Sequence, residues 1–206
     1  MASIYDLKPK FQGLLRPVTN ALARTGVTAN QITAFAMLLS LAAGAAIYFS
    51  RSLRVLLLLP LLLFLRMALN AIDGMLAREH DQKTPLGAIL NELGDVFSDA
   101  ALYLPLALIP PFDPTLIALI VILAVISEMT GVLGVPIGAS RRYDGPMGKS
   151  DRAFVFGALG LLLGLNAPIL PAVKPVLWIV LVLLLLTILN RARCALRELH
   201  GRSTTR

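Results

Sequence analysis

Cysteine is almost missing from this chain. Cys194 stands alone, so an internal disulfide is excluded. Histidine is nearly as scarce: His80 and His200 are the pair available, both outside apolar runs, which rules out a Cys/His zinc set. Charge is low as well. Asp, Glu, Lys and Arg make up 15% of the chain, where a soluble domain carries about 25%. The first residues, "MASIYDLKPKFQGLLRPVTNALARTG", lack an uninterrupted apolar core beside a small-residue cleavage site, so no signal peptide is expected. What is present is apolar: 57% hydrophobic residues and a mean hydropathy of +0.77. That composition marks an integral membrane protein. The net charge of +7 would suggest nucleic acid in a soluble chain; here it fits the positive residues that collect on the cytoplasmic side of membrane helices, and nucleic acid is not an expected partner.

Hydropathy predicts an all-α integral membrane protein, a single domain over 1–206. Six transmembrane helices are expected at 31–49, 54–77, 86–109, 115–135, 152–167 and 173–191, so the bundle spans 31–191. Residues 192–206 form a basic cytoplasmic tail. Residues 1–30 form an N-terminal amphipathic interfacial helix: Leu7, Phe11, Leu14, Leu15, Val18 and Leu22 recur at helical spacing among Lys8, Lys10, Arg16 and Arg24. Pro9 and Pro17 are expected to start or kink its pieces. The fifth span is short, and Gly157, Gly160 and Gly164 let its neighbours approach closely. With six spans, Arg51, Arg54 and Lys174 fall on one side, Arg66 lies inside a span, and every other Lys and Arg shares the side of the termini. This bias makes both termini cytoplasmic.

Carboxylates at membrane depth are costly and signal function. Arg66, Asn70, Asp73 and Ala77 share one face of the second span; Gly87, Asn91, Asp95 and Asp99 share one face of the third. The short turn between these helices predicts that the two faces meet as a ring of oxygen ligands, suited to Mg²⁺, Mn²⁺ or Ca²⁺. Arg66 is expected to bind a lipid phosphate or to pair with Glu128. Glu92, about 100° round the helix from Asn91, is the poorer ligand. A second basic cluster, "RRYDGPMGKSDR" from Arg141 to Arg152, lies on the same side; its "GKS" lacks the glycine spacing of a P-loop. Trp178 is read as a membrane anchor or packing residue.

The string "NAIDGMLAREHDQKTPLGAILNELGD", Asn70 to Asp95, resembles the signature of the CDP-alcohol phosphatidyltransferases. That signature runs Asp, two residues, Asp-Gly, two residues, Ala-Arg, eight residues, Gly, three residues, Asp, three residues, Asp. Asp73-Gly74, Ala77-Arg78, Gly87 and Asp95 fit every spacing; Asn70 and Asn91 replace the first and third Asp. "TANQIT", Thr28 to Thr33, adds to the likeness. The resemblance implies transfer of a phosphatidyl or similar phospho-alcohol group from a CDP-linked lipid, such as CDP-diacylglycerol, to an acceptor alcohol with release of CMP, in phospholipid synthesis. It implies Mg²⁺ or Mn²⁺ as cofactor, a homodimer, and a bacterial inner (cytoplasmic) membrane with the site facing the cytoplasm. By position, Asp73 and Asp95 would be metal ligands, Asp95 also the base, and Asn70 and Asn91 weakened ligands that keep an oxygen but lose charge. Asp99, one turn farther along, would restore a charge, and a single well-held metal is expected, with a second recruited by the substrate. Asp73, Gly74, Ala77, Arg78 and Gly87 would hold the nucleotide; Arg141, Lys149 and Arg152 would hold the acceptor. Two other readings stay open: a family member that binds lipid without turnover, and a transporter, which would need internal repeats that the chain does not display.

Overall fold

The computed structural model describes the backbone of residues 4–203 and the side chains of residues 9–201. Seven α-helices follow in order: α1 (Ile4–Arg24), α2 (Ala29–Ser50), α3 (Leu58–Glu79), α4 (Pro85–Tyr103), α5 (Pro114–Leu133), α6 (Lys149–Gly164) and α7 (Leu170–Ser203). Short 3₁₀ segments, Leu53–Leu57 and Leu104–Leu108, lead into α3 and out of α4. No strand occurs among the described residues. Of the six spans expected, four are long and apolar enough to cross a membrane: Ala29–Ser50, Leu53–Glu79, Pro114–Leu133 and Leu170–Gly201. α4 differs because Glu92, Asp95 and Asp99 interrupt its apolar sequence, and α6 because it has 16 residues.

Sequence explains where these helices begin. Thr28 caps α2, accepting from the Gln31 amide, while the Gln31 side chain accepts from Thr28 N at 2.9 Å, a reciprocal capping box. Thr84 caps α4 through the Gly87 amide (2.9 Å), with Pro85 in the first turn where its missing N–H costs nothing. α1 departs from expectation. It runs as one helix with Pro9 and Pro17 inside, since each proline removes a single donor and packing on α3 holds the rest. Phe11 meets Phe64 edge-on at 6.0 Å, Arg16 pairs with Glu79 at 2.9 Å, and Leu15 and Leu22 join a small apolar cluster with Ile32, Leu69 and Ile72. The side chains of Leu7 and Lys8 lie outside the described residues, as do those of Arg202 and Arg206. The expected basic tail is instead, from 192 to 203, a continuation of α7. That helix of 34 residues is about 51 Å long, well beyond an apolar layer of about 30 Å.

Close packing depends on glycine, as expected for helices in lipid. Gly44 lets α2 ride against the Ala101 carbonyl of α4. On α6, a Cβ at Gly160 would lie 2.8 Å from the Leu56 carbonyl oxygen and one at Gly164 2.6 Å from Leu57 Cγ. Helix α6 therefore seats on the 3₁₀ segment before α3. The main core joins Ile47, Leu59, Leu102, Ile117, Phe156 and Leu177 from six helices. Phe35, Leu61, Phe64, Phe97, Trp178 and Ile179 face outward, a surface suited to lipid rather than water. Trp178 is half exposed, so it is not a core residue.

Candidate active site

The two signature helices do not pack directly along their backbones. α2 lies against both α3 and α4, while α6 covers the other side of α3. The expected meeting of the two faces is made by side chains across the space between them, Asn70 to Asp95 and Arg66 to Asp99, rather than by close backbone packing. This cleft is where the signature residues gather. The Asp95 carboxylate accepts at Oδ1 from Asn70 Nδ2 (3.1 Å) and at Oδ2 from Lys149 Nζ (2.7 Å). Arg66 Nη2 adds the Asp95 carbonyl (3.1 Å) and Oδ1 (3.4 Å). On the α2 side, buried Asp73 accepts from Thr33 Oγ1 at 2.9 Å. Asn91 lies one turn before Asp95 and is half-buried. Beside Lys149 a groove opens between α3 and α6, lined by Arg66, Met67, Asn70 and Ser150.

The glycines of the signature have local reasons. A Cβ on Gly74 would come within 3.1 Å of Arg78 Nη1, so the glycine makes room for that guanidinium. A Cβ on Gly87 would meet Asn30 Oδ1 at 2.6 Å, where Asn30 bonds the cap residue Thr84 (3.3 Å). Ala77 is half-buried and Arg78 exposed. "TANQIT" fastens the same corner: Gln82 Oε1 accepts from the Ala29 amide at 2.8 Å.

One turn beyond Asp95 the environment changes. Asp99 is buried between two arginines: Arg66 Nη1 donates to Oδ1 at 2.5 Å, and Arg152 donates to Oδ2 from Nε (3.0 Å) and Nη2 (2.8 Å). Arg152 Nη2 also reaches Glu128 Oε1 (3.1 Å), and Glu128 Oε2 accepts from Arg191 (3.1 Å) and Arg141 (3.4 Å). Arg141 forks onto Glu92 at 2.5 and 2.6 Å. These contacts bear on three expectations. Arg66 pairs with Asp99 and Asp95, not Glu128. Glu92, read as the poorer ligand, is an arginine partner. Arg152, 1% exposed, already has both of its carboxylates, and the carboxylate of Asp99 is likewise taken. The roles of Glu128, Arg191 and Thr33 were not found from sequence; an acidic residue alone in the apolar fourth span was the available signal for Glu128.

The loop 134–148, which carries Arg141 and leads into Lys149, is mounted on α7. Thr187 Oγ1 accepts from the Met147 amide at 2.9 Å, Arg191 Nε donates to the Asp144 carbonyl at 3.2 Å, and Glu198 accepts from the Ser140 amide and hydroxyl (3.1 and 2.7 Å) and from Arg142 (3.0 Å). Burial pushes the Asp144 carboxyl up, but hydrogen bonds from Arg142 and the nearby charge hold it below the usual range overall. Burial pulls Arg141 down, and its bonds to Glu92 more than reverse that.

Among the described residues no three His, Cys, Asp or Glu side chains cluster closely enough to hold a metal. Two carboxylates, Asp73 and Asp95, remain with the amide oxygens of Asn70 and Asn91. This all-oxygen set suits a hard divalent cation, with charge for one rather than two.

Comparison with known proteins accords with this geometry. The pattern of a family described as CDP-alcohol phosphatidyltransferase matches residues 26–193. The chain is 47% identical over 195 residues to the inner membrane protein YnbA of Escherichia coli (strain K12), covering 94% of this chain and 96% of that one. It is 30% identical over 116 residues to an archaetidylinositol phosphate synthase of Pyrococcus horikoshii, covering 55% of this chain and 60% of the synthase. In fold it is similar to the phosphatidylinositol phosphate synthase of Mycobacterium tuberculosis with CDP-DAG bound (TM-score 0.71, 19% identity, 87% of this chain and 92% of that one). It is equally similar to that protein in complex with manganese and citrate (TM-score 0.70, 20% identity, 87% of each chain). The chain belongs to the CDP-alcohol phosphatidyltransferase family.

Proposed function

We propose that this protein is an integral membrane phosphotransferase that moves a phosphatidyl or similar group from a CDP-linked lipid to an acceptor alcohol, releasing CMP. The observation that carries this reading is the meeting of Asn70, Asp95 and Lys149 from three helices, one turn from Asp73, within the family signature. The acceptor oxygen bonds to the phosphorus that carries the lipid. The bond from that phosphorus to the bridging oxygen breaks, and CMP leaves with that oxygen. The hydroxyl proton passes to Asp95. At rest Asp95 is held by Lys149; an anionic group of the substrate arriving at Lys149 shares the ammonium and loosens its grip on Oδ2. Mg²⁺ or Mn²⁺, held by Asp73 and Asp95 with the amide oxygens of Asn70 and Asn91, would shield the diphosphate and stabilise the leaving CMP. Gly74, Ala77, Arg78 and Gly87 flank the nucleotide side. Arg141 and Lys149 face the acceptor side, whereas Arg152 positions α6 from within its ion pairs rather than touching the acceptor.

In the same reading α4 and α6 also cross the membrane, α1 lies at the interface, the protein is a homodimer, and the cleft faces the cytoplasm, because Lys and Arg concentrate at that end. A second reading, binding of CDP-lipid without turnover, draws on Asn70, Asn91 and the Lys149–Asp95 ion pair. Purified protein with CDP-diacylglycerol, Mn²⁺ or Mg²⁺ and a panel of alcohols is expected to release CMP. Binding of CDP-diacylglycerol with no CMP from any alcohol would establish the second reading instead.

A further inference from the structure

We propose that the ammonium of Lys149 takes the place of a second divalent cation in the cleft, so that this chain's site holds a single Mg²⁺ or Mn²⁺. The inference rests on the reading of the cleft as a metal-assisted phosphotransfer site.

The argument begins with charge. The signature that this chain matches has Asp where Asn70 and Asn91 stand, so two negative charges are gone. The carboxylates that remain are Asp73 and Asp95, and one of them already faces a cation. Lys149 Nζ lies 2.7 Å from Asp95 Oδ2. Asn70, at the first altered position, supplies a donor to Asp95 Oδ1 at 3.1 Å, where a carboxylate would have repelled it. Both oxygens of Asp95 are therefore satisfied by N–H groups. A divalent ion entering against Asp95 would have to displace the ammonium or sit beside it, like charge against like.

Lys149 is not a loose surface lysine. It is the first residue of α6, and the Gly148 amide just before it is tied to Asp151 Oδ2 at 2.9 Å. Three residues on, Arg152 bolts the helix to Asp99 and Glu128. The Lys149 side chain is 29% exposed, reaching inward to the cleft. The fold thus fixes a positive charge on α6 opposite the carboxylate of α4. Asp73, by contrast, is bonded by a neutral hydroxyl, Thr33, and keeps its negative charge available for a cation. With Asp95 shared between a built-in ammonium and the metal, and Asp73 met only by a hydroxyl, the negative charge left over suits one ion. An ammonium cannot be removed by chelation, so part of the positive charge of the cleft becomes permanent.

The test is Mn²⁺ stoichiometry by electron paramagnetic resonance and equilibrium dialysis on detergent-purified protein, alone and with CDP. The parent is expected to bind a single Mn²⁺ in both conditions, with no signal from a coupled pair. Asn70→Asp with Asn91→Asp should still bind one while Lys149 is present, and so should that pair combined with Lys149→Arg. Adding Lys149→Gln to the pair should create a second site and the spectrum of two coupled ions. Size-exclusion profiles and circular dichroism establish that each variant is folded; should the Lys149→Gln combination not fold, the parent and the Lys149→Arg combination decide the matter. Two Mn²⁺ in the parent, no Mn²⁺ in the parent, or a single ion in the folded Lys149→Gln combination would overturn the inference. CMP release is read on the same preparations. A single ion without CMP release leaves the inference standing and removes the proposed activity, while two ions with CMP release does the reverse.

Discussion

Asp95 and Asp99 are one helical turn apart on the same face of α4, and their surroundings differ in kind. Asp95 is 17% exposed at its side chain, meets a lysine and an amide, and borders a cleft. Asp99 is 6% exposed and is gripped by two guanidinium groups from α3 and α6. A lysine offers a flexible point charge, whereas an arginine offers a rigid fork that matches a carboxylate. The first arrangement can open for a ligand; the second ties helices together. A single turn therefore separates the group positioned for chemistry from the one that fixes the frame around it. Arg66 touches both and couples them.

The comparison can be broken at either end. The largest effect is expected at Asp99. Asp99→Ala leaves Arg66 and Arg152 buried without their shared partner, which costs about 3–5 kcal/mol; thermal unfolding in detergent should show a large loss of stability. If Asp99→Ala unfolds with the parent, Asp99 is not a structural tie. Asp95→Asn keeps the size of the side chain but removes the proton acceptor and leaves one of its two donor sets facing an NH2 group. CMP release should drop by at least about a hundredfold, with a loss in melting temperature smaller than that of Asp99→Ala. Equal turnover in that variant would move the search to another base.

Smaller effects sharpen the contrast between frame and cleft. Gly160→Val drives a side chain into the Leu56 carbonyl, and overpacking of this kind costs about 1–3 kcal/mol. Because Gly160 lies far along α6 from Lys149, the loss should appear in melting and not in the KM for acceptor. Arg141→Gln should raise the KM for an anionic acceptor with little change for CDP-lipid; an equal rise for both would take Arg141 away from the acceptor side. The smallest effect belongs to Asp144. Its carboxyl titrates below its unfolded value, so its contribution is present above the unfolded pKa and is lost as pH falls through the folded one. For a pair this near the surface the contribution is about 1 kcal/mol or less. Limited proteolysis of loop 134–148 should quicken on acidification in the parent, and this pH dependence should be weaker in Asp144→Asn.

Hydropathy located all the helices after α1 to within a few residues at most ends, because apolar runs and caps such as Thr28 and Thr84 are local signals. The exception is α7, whose last turns are polar and so read as a tail. The signature spacing also put Asn70, Asp73 and Asp95 on faces that do meet. Partners were harder. Arg66 and Glu128 are both lone charges in apolar spans, and nothing in the sequence says that α3 turns toward Asp99 while Glu128 waits for Arg191, 63 residues away. Helical periodicity gives the face of a residue but not the rotation of its neighbours. The same limit hid how far the backbones of α3 and α4 pack on α2 rather than on each other.

The mounting of loop 134–148 on α7 has a kinetic consequence. Thr187, Arg191 and Glu198 hold it along more than two turns of one continuous helix. Its conformational entropy is thus already given up when the protein folds, not when an acceptor arrives. A loop prepared in this way does not have to be found by each ligand in turn. Discrimination among acceptor alcohols would then be expressed in dissociation rates, with association rates nearly uniform across the series.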